Sequence, residues 1–435
     1  MTQPTKTFNA FNLPANLLEN LSRINFTNPT DIQEQTIPAV LSDRDIIGTA
    51  PTGTGKTGAF SIPLLAKILE NDNLSLLVLV PTRELALQVV TVFQKLTPPK
   101  SSIKSALLIG GEFIEKQFKQ LRAKPRIVVG TPGRINDHLK RKTLKLHTTQ
   151  HLVLDETDVM LDMGFDVQIK TIIEKLPKKR QTLMFSATFP KRIESLAAQY
   201  LSSPLRINIS GNTSTKKNIH QESLSISDKE KYNHLLDQLN KRDEAIIIFV
   251  KTKRSADNLA KKLNETAHSA QAIHGDLRQN KRDRVIKSFR NKKFRILVAT
   301  DVAARGLDIP HINHVINYDL PQCPEDYTHR IGRTGRAGEK GFSLTFITNK
   351  DKQKWKKFKN LLKIAPKEIN TLETADDKSS SLEKKKKTLN SRQKNTKKSF
   401  SEMSKRKSSS KRKKSSVKKN KLTIKSLKRT PHTKK

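Results

Sequence analysis

Residues 50–57 read Ala50-Pro51-Thr52-Gly53-Thr54-Gly55-Lys56-Thr57, directly after an apolar run at 45–49 and before a segment with helical periodicity at 58–69. Strand, glycine-rich loop and helix in that order form a phosphate-binding arrangement. Gly53 and Gly55 let the backbone bend close enough to turn its N–H groups on an anion. The helix N-terminus adds partial positive charge and Lys56 a full one. Thr57 then stands where its hydroxyl can ligate Mg²⁺ beside the phosphates. A second apolar run, ending at Leu154, delivers Asp155-Glu156-Thr157-Asp158, and open α/β sheets place their ligands at such strand C-termini. Alone, an acidic tetrad in that position is as easily a solvated loop. Following a phosphate loop, it reads as the complementary half of a nucleotide site, with Asp155 in the Mg²⁺ shell and Glu156 orienting and deprotonating the attacking water.

These side chains need a scaffold that brings distant loops together. Short apolar runs recur at 45–49, 76–80, 127–130, 152–154 and 183–185, separated by helix-like segments. Runs of this kind are strands buried on both faces, so the pattern predicts an α/β domain with a parallel sheet flanked by helices. The alternation pauses at a polar stretch and resumes at 245–250, 295–299, 314–318 and 343–347. Two tandem α/β domains follow, with expected boundaries at 1–209 and 221–365, a linker at 210–220 and a low-complexity tail at 366–435.

Charge divides the same way. The 435 residues hold 84 Lys plus Arg against 41 Asp plus Glu, a net +43; residues 378–435 alone carry +22. That tail has one aromatic residue, Phe400, and clusters of cations at 384–387, 405–407 and 411–414. It cannot build a core and is expected to be disordered when alone. It should bind nucleic-acid phosphates without reading sequence, with affinity falling roughly 10³- to 10⁵-fold from low to moderate salt if some 6–10 charges engage. A membrane span is excluded by the shortness of the apolar runs. The single cysteine, Cys323, rules out an internal disulfide and fits a reducing compartment.

The motifs taken together resemble the DEAD-box ATP-dependent RNA helicases of superfamily 2, over roughly residues 8–347. The resemblance rests on the phosphate loop, P-T-R-E-L-A at 81–86, Gly110-Gly111, T-P-G-R at 131–134, the acidic tetrad and S-A-T at 186–188. It continues with I-F-V-K-T-K at 248–253, H-G-D at 274–276, A-T-D-V-A-A-R-G-L-D at 299–308 and H-R-I-G-R-T-G-R at 329–336. It implies two RecA-like domains sharing one ATP with Mg²⁺. Phe8 would pack on the adenine, Gln33 would read its edge, Asp308 would meet the ribose, and Arg333 and Arg336 would act as arginine fingers. Asp158, Ser186, Thr188, His329 and Arg330 would couple nucleotide state to the domain interface. Pro81, Thr82, Arg83, Gly111, Thr131, Pro132, Gly133, Arg134, Gly275 and Thr300 would hold an RNA backbone. The implied activity is RNA-stimulated ATP hydrolysis that unwinds short duplexes locally or remodels RNA–protein complexes.

Departures from the family pattern are Ala50 at the start of the phosphate loop, Thr157 where the family name implies alanine, and Asn25 before Phe26 where glycine is usual. Hydrolysis is expected to survive Thr157, with altered coupling to Ser186 and Thr188. Two other readings use the same residues: an ATP-dependent RNA clamp that does not unwind, and an RNA chaperone driven by the tail. A DNA translocase fits less well, because the Gln33 motif resembles the RNA-specific branch. The expected location is the cytoplasm, or the nucleus or nucleolus in a eukaryotic source.

Overall fold

A computed structural model describes residues 7–370 except 52, 210–217, 306, 308, 310, 336–338 and 363. Thr52, Asp308, Arg336, most of the expected linker and the basic segment from 371 onward lie outside the described residues.

The first lobe is built on seven parallel strands: β1 (Ile46–Thr49), β2 (Leu76–Leu79), β3 (Ser105–Leu108), β4 (Ile127–Gly130), β5 (His151–Leu154), β6 (Gln181–Ser186) and β7 (Leu205–Asn208). Their order across the sheet is β3-β4-β2-β5-β6-β1-β7. Strands β2, β4, β5 and β6 are buried along their whole length, which is why they read as unbroken apolar runs. The helices are α1 (Ala15–Arg23), α2 (Asp31–Leu41), α3 (Lys56–Glu70), α4 (Arg83–Leu96), α5 (Ile114–Arg122), α6 (Pro132–Lys140), α7 (Thr157–Asp162), α8 (Asp166–Ile173) and α9 (Lys191–Tyr200). On one face Phe60 of α3 packs between Phe93 of α4 and Phe185 of β6, with ring centroids 6.4 and 5.5 Å away. On the other, Ile135, Ile169, Ile172 and Ile193 close the core.

The second lobe repeats the plan. Its strands are β8 (Ile219–Ser225), β9 (Ile246–Phe249), β10 (Ala270–Ile273), β11 (Ile296–Ala299), β12 (His314–Asn317), β13 (Gly341–Ile347) and β14 (Lys367–Asn370). The order β10-β11-β9-β12-β13-β8-β14 is the first lobe's order counted from each lobe's first strand. The helices are α10 (Lys231–Asn240), α11 (Lys253–Glu265), α12 (Gln279–Arg290), α13 (Asp301–Ala304), α14 (Pro324–Ile331) and α15 (Lys352–Leu362). Two expected boundaries move: β8 begins inside the segment read as linker, and β14 pairs with β8 beyond residue 365. Both strands carry polar residues because β14 is a sheet edge and β8 its neighbour, so neither forms an apolar run. Each lobe's functional loops leave the C-terminal ends of its strands, where a parallel sheet exposes helix N-termini to a common cleft.

Candidate functional site

The phosphate loop joins β1 to α3. Gly55, at φ +94°, caps α3 in the left-handed region, and a Cβ there would lie 2.7 Å from Gln33 Nε2 and 2.8 Å from Thr30 Oγ1. Glycine is therefore required both by conformation and by space. Lys56 is buried and donates to the Ala50 carbonyl at 2.6 Å, while Thr54 Oγ1 donates to the Pro51 carbonyl at 2.8 Å. Thr57 is half-buried on the first turn of α3. Gln33 accepts from the Thr30 N–H at 3.0 Å and donates to the Gly55 carbonyl at 3.1 Å. Its amide thus braces the loop, with one N–H and a lone pair left over for a base edge.

Phe8 does not offer a ring to a nucleotide. It is 3% exposed and packs against Phe11 and Phe26, at 6.2 and 6.4 Å between centroids. The aromatic at the surface is Phe26, 38% exposed. Phe26 and Gln33 flank Gly58, since a Cβ on that glycine would meet both side chains. The sequence reading missed Phe26, whose signal was its place beside Asn25, a residue at φ +61° that turns the chain back after α1.

At the end of β5, Asp155 is buried and accepts from the Glu156 N–H at 2.9 Å. Burial pushes its carboxyl up to about 7, against the pull of Lys56. A charge so held asks for a cation. One carboxylate with the Thr57 hydroxyl is a sparse oxygen donor set, of the kind Mg²⁺ takes when phosphates and water fill its remaining positions. Glu156 sits at φ 49°, ψ 51°, a left-handed conformation that costs a non-glycine residue about 1–3 kcal/mol and is held by its surroundings. Thr157, fully buried, does part of that holding: its hydroxyl lies 3.2 Å from the carbonyls of Leu154 and Phe185, bridging the ends of β5 and β6. Asp158 accepts from the Val159 N–H with one oxygen. With the other it accepts from the N–H groups of Ala187 and Thr188 and from the Thr188 hydroxyl, at 3.0–3.1 Å. Ser186 Oγ turns to the Thr188 carbonyl at 2.6 Å. The tetrad and the S-A-T segment are therefore one hydrogen-bonded unit.

Asp155 yields a pH prediction. Between the ordinary carboxylate value and about 7 the folded protein keeps a proton that the unfolded chain has released, so stability falls as pH rises through that window and levels off above it. Asp155→Asn removes the titration. Its unfolding temperature, measured without nucleotide or divalent cation, should exceed wild type by a margin that widens from pH 5 to 7.5; a constant margin would contradict the assignment.

The second lobe faces this unit through α14. His329 Nε2 lies 3.9 Å from Asp158 Oδ2, a gap that a shift of less than about 1 Å closes to a hydrogen bond. Burial lowers the affinity of its ring for a proton, partly offset by Asp158, and the charges of Arg333 and Glu156 also act on it. Arg333 is buried, donating from Nη1 to the Leu307 carbonyl at 2.8 Å and from Nε to the His329 carbonyl at 3.2 Å. Arg330, expected in the interdomain network, instead makes its recorded bonds inside the second lobe. It grips Asp301 with two nitrogens, donates to the Asp319 carbonyl at 2.6 Å and lies over the Phe249 ring. Its planar fork suits that buried internal role.

Other contacts across the cleft bring in two residues outside the quoted motifs, Gln279 and Arg282. Arg83 Nη1 donates to Gln279 Oε1 at 2.6 Å, Arg282 pairs with Glu84 while donating to the Ala303 carbonyl at 2.8 Å, and Arg305 sits between Asp162, at 3.5 Å, and Asp326. The only signal for Gln279 and Arg282 was their three-residue spacing at the start of α12, which puts both side chains on one helical face.

Seven of the ten backbone-holding candidates line one cavity. A cavity of about 470 Å³ is lined by Pro81, Thr82, Arg83, Thr131, Gly133 and Arg134 of the first lobe and by Gly275 of the second. Pro132 lies buried at the first position of α6, and Thr300 at the N-cap of α13. Thr82 caps α4 and Thr131 caps α6, so two helix N-termini meet there, an arrangement that favours phosphate. Gly111, at φ +77°, lies under Arg83, and any Cβ there would fall 1.9 Å from the guanidinium.

Paired parallel sheets of identical order, with a phosphate loop in one lobe and buried arginines in the other, define a two-lobed RecA-type nucleoside triphosphatase. Residues 30–196 match the model described as "DEAD/DEAH box helicase" and residues 230–338 that of "Helicase conserved C-terminal domain". The chain belongs to the DEAD-box ATP-dependent RNA helicase family: it is an ATP-hydrolysing RNA helicase. It is 45% identical over 350 residues to the DEAD-box ATP-dependent RNA helicase CshA of Bacillus subtilis, covering 80% of this chain and 71% of that protein. It is similar to a Saccharomyces cerevisiae Dbp5 variant bound to RNA and ADP BeF3, with 32% identity, 87% and 99% of the two chains covered and a TM-score of 0.76. Against a Dbp5 variant bound to Nup159, Gle1, IP6 and ADP, the identity is 31%, the coverage 86% and 99%, and the TM-score 0.59. Among the described residues no helix is long and apolar enough to cross a membrane.

Proposed function

We propose that this helicase works by clamping its two lobes on one ATP and one RNA strand, bending the strand so that base pairing is lost locally. The carrying observation is that RNA-facing and ATP-facing residues of the first lobe both meet the second: Arg83 and Glu84 with Gln279 and Arg282, Asp158 with His329. The higher TM-score against Dbp5 with RNA and ADP BeF3 than with Nup159, Gle1, IP6 and ADP supports a lobe arrangement nearer the RNA-bound one, because identity and coverage are nearly equal in the two comparisons.

In this reading the loop from Ala50 to Thr57 cradles the phosphates, Lys56 leaves the Ala50 carbonyl for them, and Thr57 and Asp155 hold Mg²⁺, which supplies charge neutralisation on the transferred phosphoryl group. Gln33 and Phe26, backed by Phe8, hold the adenine, and Asp308 the ribose. Glu156 takes the proton of the attacking water, and Arg333 and Arg336 face the γ-phosphate. Helix N-termini and Arg83 and Arg134 position sugar and phosphate, so binding ignores base identity. The basic tail adds salt-sensitive phosphate contacts. Cytoplasmic action fits the bacterial relative.

The test compares ATP turnover with RNA, with DNA and without nucleic acid, in wild type and Arg282→Ala. Only RNA should stimulate wild type strongly. Losing the half-buried partner of Glu84 should weaken RNA stimulation and unwinding by about 10-fold or more. Equal stimulation by DNA, or unaltered unwinding in the variant, would refute the clamp.

A further inference from the structure

Phe113 is 84% exposed, and the next most exposed phenylalanine among the described residues, Phe342, reaches only 43% and packs on two histidine rings. Phe113 makes no ring contact among the described residues. A phenyl left in water forgoes the burial that holds the other aromatic side chains in place. Single surface apolar residues are common, so its position has to carry the meaning.

That position is the rim of the proposed RNA groove. Phe113 N-caps α5, two residues past Gly111, which lies under Arg83. The intervening Glu112 carbonyl is 3.5 Å from Arg134 Nη1. Peptide geometry then places Phe113 Cα within roughly 6–7 Å of that guanidinium nitrogen. Its backbone thus lies beside Arg134, with Arg83 over Gly111 two residues earlier, the two arginines assigned to the strand's phosphates.

We propose that Phe113 is a base-stacking platform, taking the face of one unpaired nucleobase at the edge of the groove. A strand held by its phosphates leaves its bases unstacked and available, and a phenyl face accepts any of them, because every base has a π-face. The contact adds affinity for single strands without adding sequence specificity. It also favours the unpaired product of unwinding over the duplex, whose bases are already stacked. The basic tail, with Phe400 alone among its cations, has a single ring to offer for such contacts.

The inference rests on the groove being the RNA path, and the experiment separates the two. Full-length protein with a non-hydrolysable ATP analogue is titrated with a ten-nucleotide oligoribonucleotide, and with versions carrying one abasic nucleotide at each position in turn, at salt high enough to suppress tail contacts. Phe113→Ala should weaken binding of the intact strand roughly 5- to 100-fold, the equivalent of one stacked base. Wild type should show a similar loss with the abasic site at one position, and Phe113→Ala none there. The indole of Phe113→Trp should be quenched on binding, against the constant signal of buried Trp355. Unchanged affinity in Phe113→Ala, or a loss with no dependence on abasic position, overturns the stacking role. Arg134→Ala reports on the path itself. If it binds RNA as wild type does, the groove assignment fails; if it binds weakly while Phe113→Ala does not, only stacking fails.

Discussion

Arg333→Lys should lower RNA-stimulated ATP turnover about 10³-fold or more, with the KM for ATP changed only a few-fold. The expectation follows from where the guanidinium is anchored. Two of its nitrogens hold the Leu307 and His329 carbonyls, which fixes it to the end of the helix whose His329 approaches Asp158. An arginine delivered to a γ-phosphate stabilises charge that develops only in the transition state, and such fingers are worth about 10³–10⁵ in rate. Lysine keeps the charge and loses the fork, so it cannot hold both carbonyls and reach the phosphate. Binding of ATP itself depends on Lys56, Gln33 and the loop, none of which changes. Steady-state kinetics and a nucleotide titration separate the possibilities: a raised KM with intact kcat would make Arg333 a ground-state contact. A thermal melt controls for the orphaned carbonyls, which should cost only about 1–3 kcal/mol each.

Glu156→Gln should reduce kcat by roughly 10²- to 10⁴-fold while leaving ATP-dependent RNA binding intact or longer-lived. The backbone around Glu156 is fixed by neighbours, through the Asp155 carboxylate on its own N–H and the Thr157 hydroxyl on Leu154 and Phe185. An isosteric amide therefore occupies the same strained position without rebuilding the turn. Glutamine can orient a water but cannot take its proton, so the closed state forms and is not discharged. Filter binding with labelled RNA and ATP would show slow release. Rapid release, or hydrolysis within a few-fold of wild type, would move the base elsewhere in the tetrad.

Strand recognition from sequence succeeded where both faces of a strand are covered. The interior strands β1, β2, β4, β5, β6, β9, β11, β12 and β13 appear as apolar runs. The strands that did not stand out include all four sheet edges, β3, β7, β10 and β14. An edge strand buries less, as in β7, where only Ile207 is fully covered, so its side chains need not advertise it. The polar β8, whose first two residues fall in the expected linker, did not stand out for a related reason, being covered on its outer side only by β14.

The chemistry of the chain was determined by its sequence alone: a phosphate loop, an acidic tetrad and paired arginines are contiguous patterns whose residue types and spacing define the chemistry. Only the tertiary structure decided which aromatic stays at the surface, since Phe8 and Phe26 are equally apolar and differ in what covers them. It also turned Arg330 inward and chose Gln279 and Arg282 as partners for Arg83 and Glu84, across separations of 196 and 198 residues. Contacts at that range depend on how two separately formed cores are set against each other, and no local pattern records that distance.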